Sequence, residues 1–269
     1  MIWVLLAVIG LCVGAFGTLI GVAGGFLLVP VLLFLYPKAN PSTITSITLT
    51  VAFFNALSGS IAYHRLKRID YRSGIIFSVA AVPGAVIGAS ITNLLDRHVF
   101  QIIFGICLVI VATYLLVKPE RHRITDTVKP GHTKRTITDA YGTVFGYSFS
   151  LPVGIAIAFG VGLVGGMLGI GGGIMHVPVL TQFLNFPAHV ATATSQFVVA
   201  VTTLSAAMTH VIHGAYTEGF RRAAVLSAGA VIGAQFGARL SHNVSERWIV
   251  RLLAAGLAAV AIRLLIAPF

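Results

Sequence analysis

Gly21-Val-Ala-Gly-Gly25 ahead of Pro30, and Gly169-Ile-Gly-Gly-Gly173 ahead of Pro178, decide how this 269-residue chain is read. In both stretches the proline stands five residues past the last glycine, and the second copy follows the first by 148 positions. Clustered glycines weaken a helix by roughly 1 kcal/mol each. At membrane depth, unpaired backbone is tolerated only where it is buried in protein or lines a cavity. Two matched breaks therefore imply two related halves that share one site.

The composition fixes the setting. Hydrophobic residues make up 57% and charged residues 9%, against about 25% charged in soluble domains. At about 20 residues per crossing, such a chain is a polytopic membrane protein with no room for a soluble catalytic domain. The net charge of +11 would suggest nucleic acid in a soluble protein. Here the basic residues gather in loops: Arg65, Lys67, Arg68 and Arg72, then Lys118, Arg121, Arg123, Lys129, Lys134 and Arg135. The positive-inside rule assigns both loops to the cytoplasm, and no interleaved aromatics suggest nucleic-acid binding. Cys12 and Cys107 make neither a disulfide framework nor a metal pattern. Met1 to Ile20 lacks a basic leader and reads as the first helix.

A membrane-length window gives a broken apolar block at 1–36, a turn at Pro37 to Pro41, and spans at 42–63, 73–94 and 99–117. The order repeats as a broken block at 151–186, a turn at Pro187, and spans at 189–213, 222–240 and 248–266. The predicted fold is an all-α polytopic membrane protein of two repeats, each of about five helical segments with a glycine-broken helix pair. Residues 1–117 form the first repeat, 118–150 a polar, solvated cytoplasmic linker and lead-in, and 151–269 the second. Gly84-Ala-Val-Ile-Gly-Ala89 recurs unchanged as Gly229-Ala-Val-Ile-Gly-Ala234, 145 positions on, and reads as a pair of helix-packing stripes. Thr45-Ser46 is matched to Thr194-Ser195 at an offset of 149. Loop charges nearly tie between parallel and inverted repeats. Inversion is expected, because duplicated transporters commonly join inverted halves through broken helices.

The chemistry follows from the breaks. Helices restarting at Phe26 and Ile174 present free N–H groups and a positive dipole end, which favour an anion. Neither run is an ATPase phosphate loop, since no Lys with Ser or Thr follows the last glycine. The candidate anion site comprises the amides of Gly24, Gly25, Gly172 and Gly173, with Ser46 and Ser195 as hydroxyl donors and Thr45, Asn55, Thr194 and Gln196 beside them. A Ser or Thr in a membrane helix often bonds the carbonyl one turn back instead. His176 is the candidate for proton coupling. His210-Val-Ile-His213 has a metal-compatible spacing, but no thiol or carboxylate joins it in the span, so no metal or other cofactor is expected. None of the seven acidic residues falls mid-span, whereas a cation pathway would normally recruit intramembrane carboxylates.

At these residues the chain resembles the TauE/SafE group of sulfite and organosulfonate exporters. The likeness rests on Gly21 to Pro30 with Thr45-Ser46 and Leu57-Ser58-Gly59, and on Gly169 to Pro178 with Thr194-Ser195. It implies an inner-membrane carrier for small sulfur-containing anions such as sulfite, sulfoacetate or thiosulfate, embedded in the lipid bilayer and working without ATP. Ala23 departs from the pattern where the second copy has Gly171, so the halves are expected to contribute unequally. The predicted mechanism is alternating access. An anion channel is the alternative, and an intramembrane enzyme using Ser195 and His176 is disfavoured because the first copy lacks the histidine. The glycine stripes leave open a homo-oligomer.

Overall fold

The computed structural model describes residues 2–37, 39–117, 132–214 and 219–241, with 244, 248, 251 and 255 singly. The chain is an all-α polytopic membrane protein. Helices α1 (Ile2–Ile20), α2 (Gly25–Leu35), α3 (Pro41–Arg65), α4 (Tyr71–Thr92) and α5 (Arg97–Val117) precede a hairpin of β1 (Thr133–Thr138) and β2 (Val144–Phe149). Then follow α6 (Leu151–Met167), α7 (Gly173–Pro178), a π-helical turn (Val179–Phe183), α8 (Ala188–Ile212) and α9 (Phe220–Leu240). Helices α1, α3, α4, α8 and α9 are long and apolar enough to cross a bilayer. The bounds of α3, α4, α5, α8 and α9 fall within two residues of the spans expected from hydropathy. The expected span 248–266 and the first part of the linker, 118–131, lie outside the described residues.

Glycine stripes bring the long helices into backbone contact. Helix α1 packs along α9, and α4 along α6. A Cβ on Gly14 would lie 2.5 Å from the Ala230 carbonyl oxygen, and one on Gly162 would lie 2.9 Å from the Ala81 carbonyl carbon. Close approach of this kind is how small residues join membrane helices. Each half thus lends its first helix to the fourth helix of the other.

These contacts correct the expected register. Gly84 and Gly88 face Phe159 and Leu163 of α6, and the equivalent positions of α1, Leu11 and Ala15, are faced by Gly233 and Gly237. The partner of Gly84-Ala-Val-Ile-Gly-Ala89 is therefore Gly233-Ala-Gln-Phe-Gly-Ala238, and the identical hexapeptide at Gly229 sits one turn earlier, against Ala7 and Leu11. A slip of four residues nearly preserves the helical face at 3.6 residues per turn, which is why sequence identity misleads here.

Helices α3 and α8, each 25 residues long, run antiparallel at the centre. Thr45 near the start of α3 meets His210 near the end of α8, and Gly59 late in α3 meets Gln196 early in α8.

The second part of the linker is a docked hairpin instead of a solvated segment. Alternation in Thr133-Lys-Arg-Thr-Ile-Thr138 suits a half-buried strand, and Gly142 at φ 83° closes the turn. Arg68 in the α3–α4 loop donates to Asp139 from Nη2 at 2.9 Å and from Nε at 3.2 Å, both side chains being buried. Asp139 also accepts the Tyr141 and Thr143 N–H groups at 2.9 Å. Burial alone would raise the Asp139 carboxyl, but the Arg68 and backbone hydrogen bonds, with the Arg68 charge, hold it below its usual value. Tyr147 donates to Asp70 at 2.8 Å, while its ring packs on Phe186 ahead of α8. Burial, and then the Asp70 charge, push the Tyr147 phenol upward. The hairpin thereby ties the α3–α4 loop to the start of α8.

Candidate substrate site at the crossed glycine breaks

Both breaks rest on left-handed backbone. Gly21, Ala23 and Gly24 take φ of 82°, 55° and 72°, and Gly169, Gly171 and Gly172 take 73°, 66° and 79°. Only glycine occupies this region without steric cost, so the glycine runs are conformational requirements. The chain folds back sharply at each break: a Cβ on Gly24 would lie 2.6 Å from the Val13 carbonyl oxygen, and one on Gly172 would lie 3.1 Å from that of Val161.

The breaks touch each other reciprocally. Gly25 packs on the Ile170 backbone and Gly173 on the Val22 backbone, equivalent positions of opposite halves. Gly24 and Gly172 are the N-caps of α2 and α7. Their carbonyls accept the Leu27 and Leu28 N–H groups in one half and those of Met175 and His176 in the other. Helix geometry leaves the amides of Gly25, Phe26, Gly173 and Ile174 without intrahelical acceptors. Helix α2 has 11 residues, matched by α7 together with the π-helical turn. At about 1.5 Å per residue, such a piece is only about half the thickness of the hydrocarbon core.

Each break leans on the central helix of the other half. Gly169 packs on Thr45 and Thr48 of α3, and Gly21 on Thr192 of α8. The structural counterpart of Thr45 is therefore Thr192, and that of Thr48 is Ser195, which corrects the Thr45-Ser46 to Thr194-Ser195 match by two residues.

The expected polar residues divide accordingly. Ser195 Oγ donates to the Gly21 carbonyl at 2.9 Å, joining the first break. Gln196 Nε2 reaches the Gly17 carbonyl at 3.4 Å, and its Oε1 is buried without a partner. Asn55 Oδ1 accepts from Thr18 at 3.0 Å, and its Nδ2 is likewise buried and unpartnered. Thr45 donates to the Pro41 carbonyl at 2.9 Å. Ser46 donates to the Thr43 carbonyl at 2.8 Å. Thr194 stands apart from the breaks, since its hydroxyl accepts the Asp70 N–H at 3.0 Å and serves the start of α4. His176 is buried, with Nδ1 3.2 Å from the Gly172 carbonyl and Nε2 unpartnered.

Sequence reasoning missed Thr18 and Tyr63. Thr18 closes α1 just before the first glycine run, and Tyr63 donates to the Thr18 carbonyl at 2.9 Å. A polar residue in the turn before a predicted break was the available signal. Near the breaks, the polar groups among the described residues are hydroxyls, amides and imidazoles. Hydroxyl and amide donors can solvate an anion without a permanent counter-charge.

Comparison with known proteins finds membrane transporter relatives over nearly the whole chain. The chain is 35% identical over 259 residues to the probable membrane transporter protein YunE of Bacillus subtilis (strain 168), covering 94% of this chain and 93% of that protein. A probable membrane transporter protein of Methanocaldococcus jannaschii is 23% identical over 265 residues, covering 93% and 91%. YjnA of Bacillus subtilis, also named a probable membrane transporter protein, is 25% identical over 260 residues, covering 91% and 93%. No solved structure matches the chain. The family model described as sulfite exporter TauE/SafE matches residues 6–264, and the chain belongs to that family of membrane proteins.

Proposed function

We propose that this membrane transporter carries small sulfur-containing anions, such as sulfite, sulfoacetate or thiosulfate, across the inner (plasma) membrane by alternating access. The family description supports the substrate class. The observation that carries the reading is the reciprocal meeting of the two breaks, Gly25 on Ile170 and Gly173 on Val22. It brings the amide ends of two short helices together, as an anion held between two halves requires. Ser195 and Gln196 flank the first break, and Thr45 the second. The Ser195 hydroxyl, now on the Gly21 carbonyl, turns to the anion when one is bound, and Ser46 follows the rearrangement of α3.

The halves are inverted repeats in this reading, which the antiparallel run of the equivalent helices α3 and α8 supports. The α3–α4 loop and the hairpin, with their basic residues, then lie together on the cytoplasmic side. The test is flux in proteoliposomes loaded separately with sulfite, sulfoacetate, taurine and thiosulfate. Saturable uptake of at least one, weakened by Ser195→Ala combined with Ser46→Ala, is expected. Saturable flux unchanged by that pair would overturn the assignment of the hydroxyls.

A further inference from the structure

Among the described residues, two imidazoles lie buried inside the bundle without a charged partner, and they are bonded differently. His176 spends Nδ1 on Gly172, four residues back in its own chain segment. His210 of α8 reaches across to α3, where Nε2 stands 3.3 Å from Thr45 Oγ1, both residues being fully buried. Thr45 gives its hydroxyl proton to the Pro41 carbonyl at 2.9 Å, with the Ser42 carbonyl at 3.1 Å as the other acceptor. With that proton on a carbonyl, its oxygen accepts from the imidazole, the arrangement in which neutral His210 carries Nε2–H. The remaining nitrogen, Nδ1, carries a lone pair and is buried with no partner.

We propose that His210 is the proton-binding residue of a proton–anion symport, an inference that rests on the anion reading above. A proton from water adds to the Nδ1 lone pair, while Nε2–H stays on Thr45. The resulting imidazolium sits one residue contact from the second break, because the backbone and methyl group of Thr45 pack directly on Gly169. Positive charge there attracts the anion at the crossed breaks, and the anion in turn holds the proton. The pair crosses with less net charge, which matters in a bundle interior where no Asp, Glu, Lys or Arg lies away from the helix ends among the described residues. The His210–Thr45 bond joins one half to the other, so a rocking motion makes and breaks it and exposes the proton to alternate sides. His176 has no such bond between halves.

The ionisable and charged groups at this end of the bundle, among the described residues, are few. On its own helix, His213 lies three residues on, with Nδ1 2.7 Å from the Thr209 carbonyl. Helices α3 and α4 bring Thr43, Thr45 and Asn93 to this end, none of them ionisable. Asp96, Arg97 and His98 begin α5, where Arg97 holds the Leu33 and Ala39 carbonyls at 2.9 Å. Arg221 and Arg222 begin α9, and Arg222 lies over the Tyr36 ring.

The test uses the full chain in proteoliposomes, with radiolabelled thiosulfate as probe and a pH dye in the external medium. Thiosulfate uptake down its own gradient should alkalinise the medium, and an inward proton gradient should accelerate it. In His210→Gln, thiosulfate counterflow should remain measurable at a several-fold weaker apparent affinity, while the proton movement and the acceleration are lost. Wild-type counterflow without alkalinisation, or with acidification, overturns the proposal whatever the variant does. Proton-driven uptake that survives in His210→Gln overturns it equally. Absence of any thiosulfate counterflow in the wild type would instead speak against the anion reading on which the proposal stands.

Discussion

Ala23 is the residue that shows how the two halves differ. It holds φ 55° where its counterpart Gly171 holds 66°, a conformation that costs a residue with a Cβ about 1 kcal/mol or more. The first half tolerates that Cβ because Ala23 packs in one cluster with Ala52 and Ala56. In the second half the position equivalent to Ala56 is Thr203, whose methyl group occupies the place a Cβ on Gly171 would need. Gly171→Ala should therefore lower thermal stability by about 2–4 kcal/mol, combining backbone strain with overpacking. Adding Thr203→Ala should restore part of the loss. Melting of the purified single and double variants measures this coupling, and strict additivity would show that Thr203 is not the obstacle. The sequence revealed that Ala23 departs from its counterpart, but the compensation at Ala56 and Thr203 emerges only once α3 and α8 are packed.

At the scale of elements, the hairpin is the feature least visible beforehand. Its first strand is short and rich in Thr, Lys and Arg, so hydropathy reads it as solvent, its second is apolar and reads as a lead into α6, and the hairpin's burial comes from partners distant in sequence such as Arg68 and Phe186. The helices were legible because membrane length and apolar composition suffice to define them. Their register was not, because small-residue stripes repeat every turn and cannot distinguish Gly229 from Gly233. The glycine breaks were readable as breaks, but a matching dipeptide hid the two-residue shift that pairs Thr45 with Thr192. Arg68→Ala leaves the Asp139 carboxylate buried with only backbone donors, and should weaken hairpin docking by on the order of 3 kcal/mol. Faster hydrogen exchange of the β1 and β2 amides would report it. Acid should act the same way. The folded Asp139 carboxyl titrates below its unfolded value of about 3.9, so its contribution is fully present above that pH and is lost as the pH falls through the folded value. Exchange protection of the hairpin should decline below about pH 4 in the wild type and show a smaller step in Arg68→Ala, where only the backbone donors remain.

For the whole molecule, the reciprocal packing of α1 on α9 and α4 on α6, around an antiparallel α3 and α8, makes each half complete only in the presence of the other. Inverted halves with the hairpin in the cytoplasm put Arg239 inside and Arg222 outside, and a reporter fused after Phe269 should be active only on the extracytoplasmic side. A cytoplasmic Phe269 together with a cytoplasmic hairpin would contradict inversion. The central claim, that two crossed breaks hold an anion which halves expose alternately, is tested most directly by counterflow. Proteoliposomes preloaded with unlabelled thiosulfate or sulfoacetate should take up the labelled anion transiently above equilibrium, with saturation, and Gly172→Val should abolish the overshoot. Uptake that never exceeds equilibrium, carried by a non-saturating single-channel current, would contradict a carrier and mark the crossed breaks as the lining of a pore.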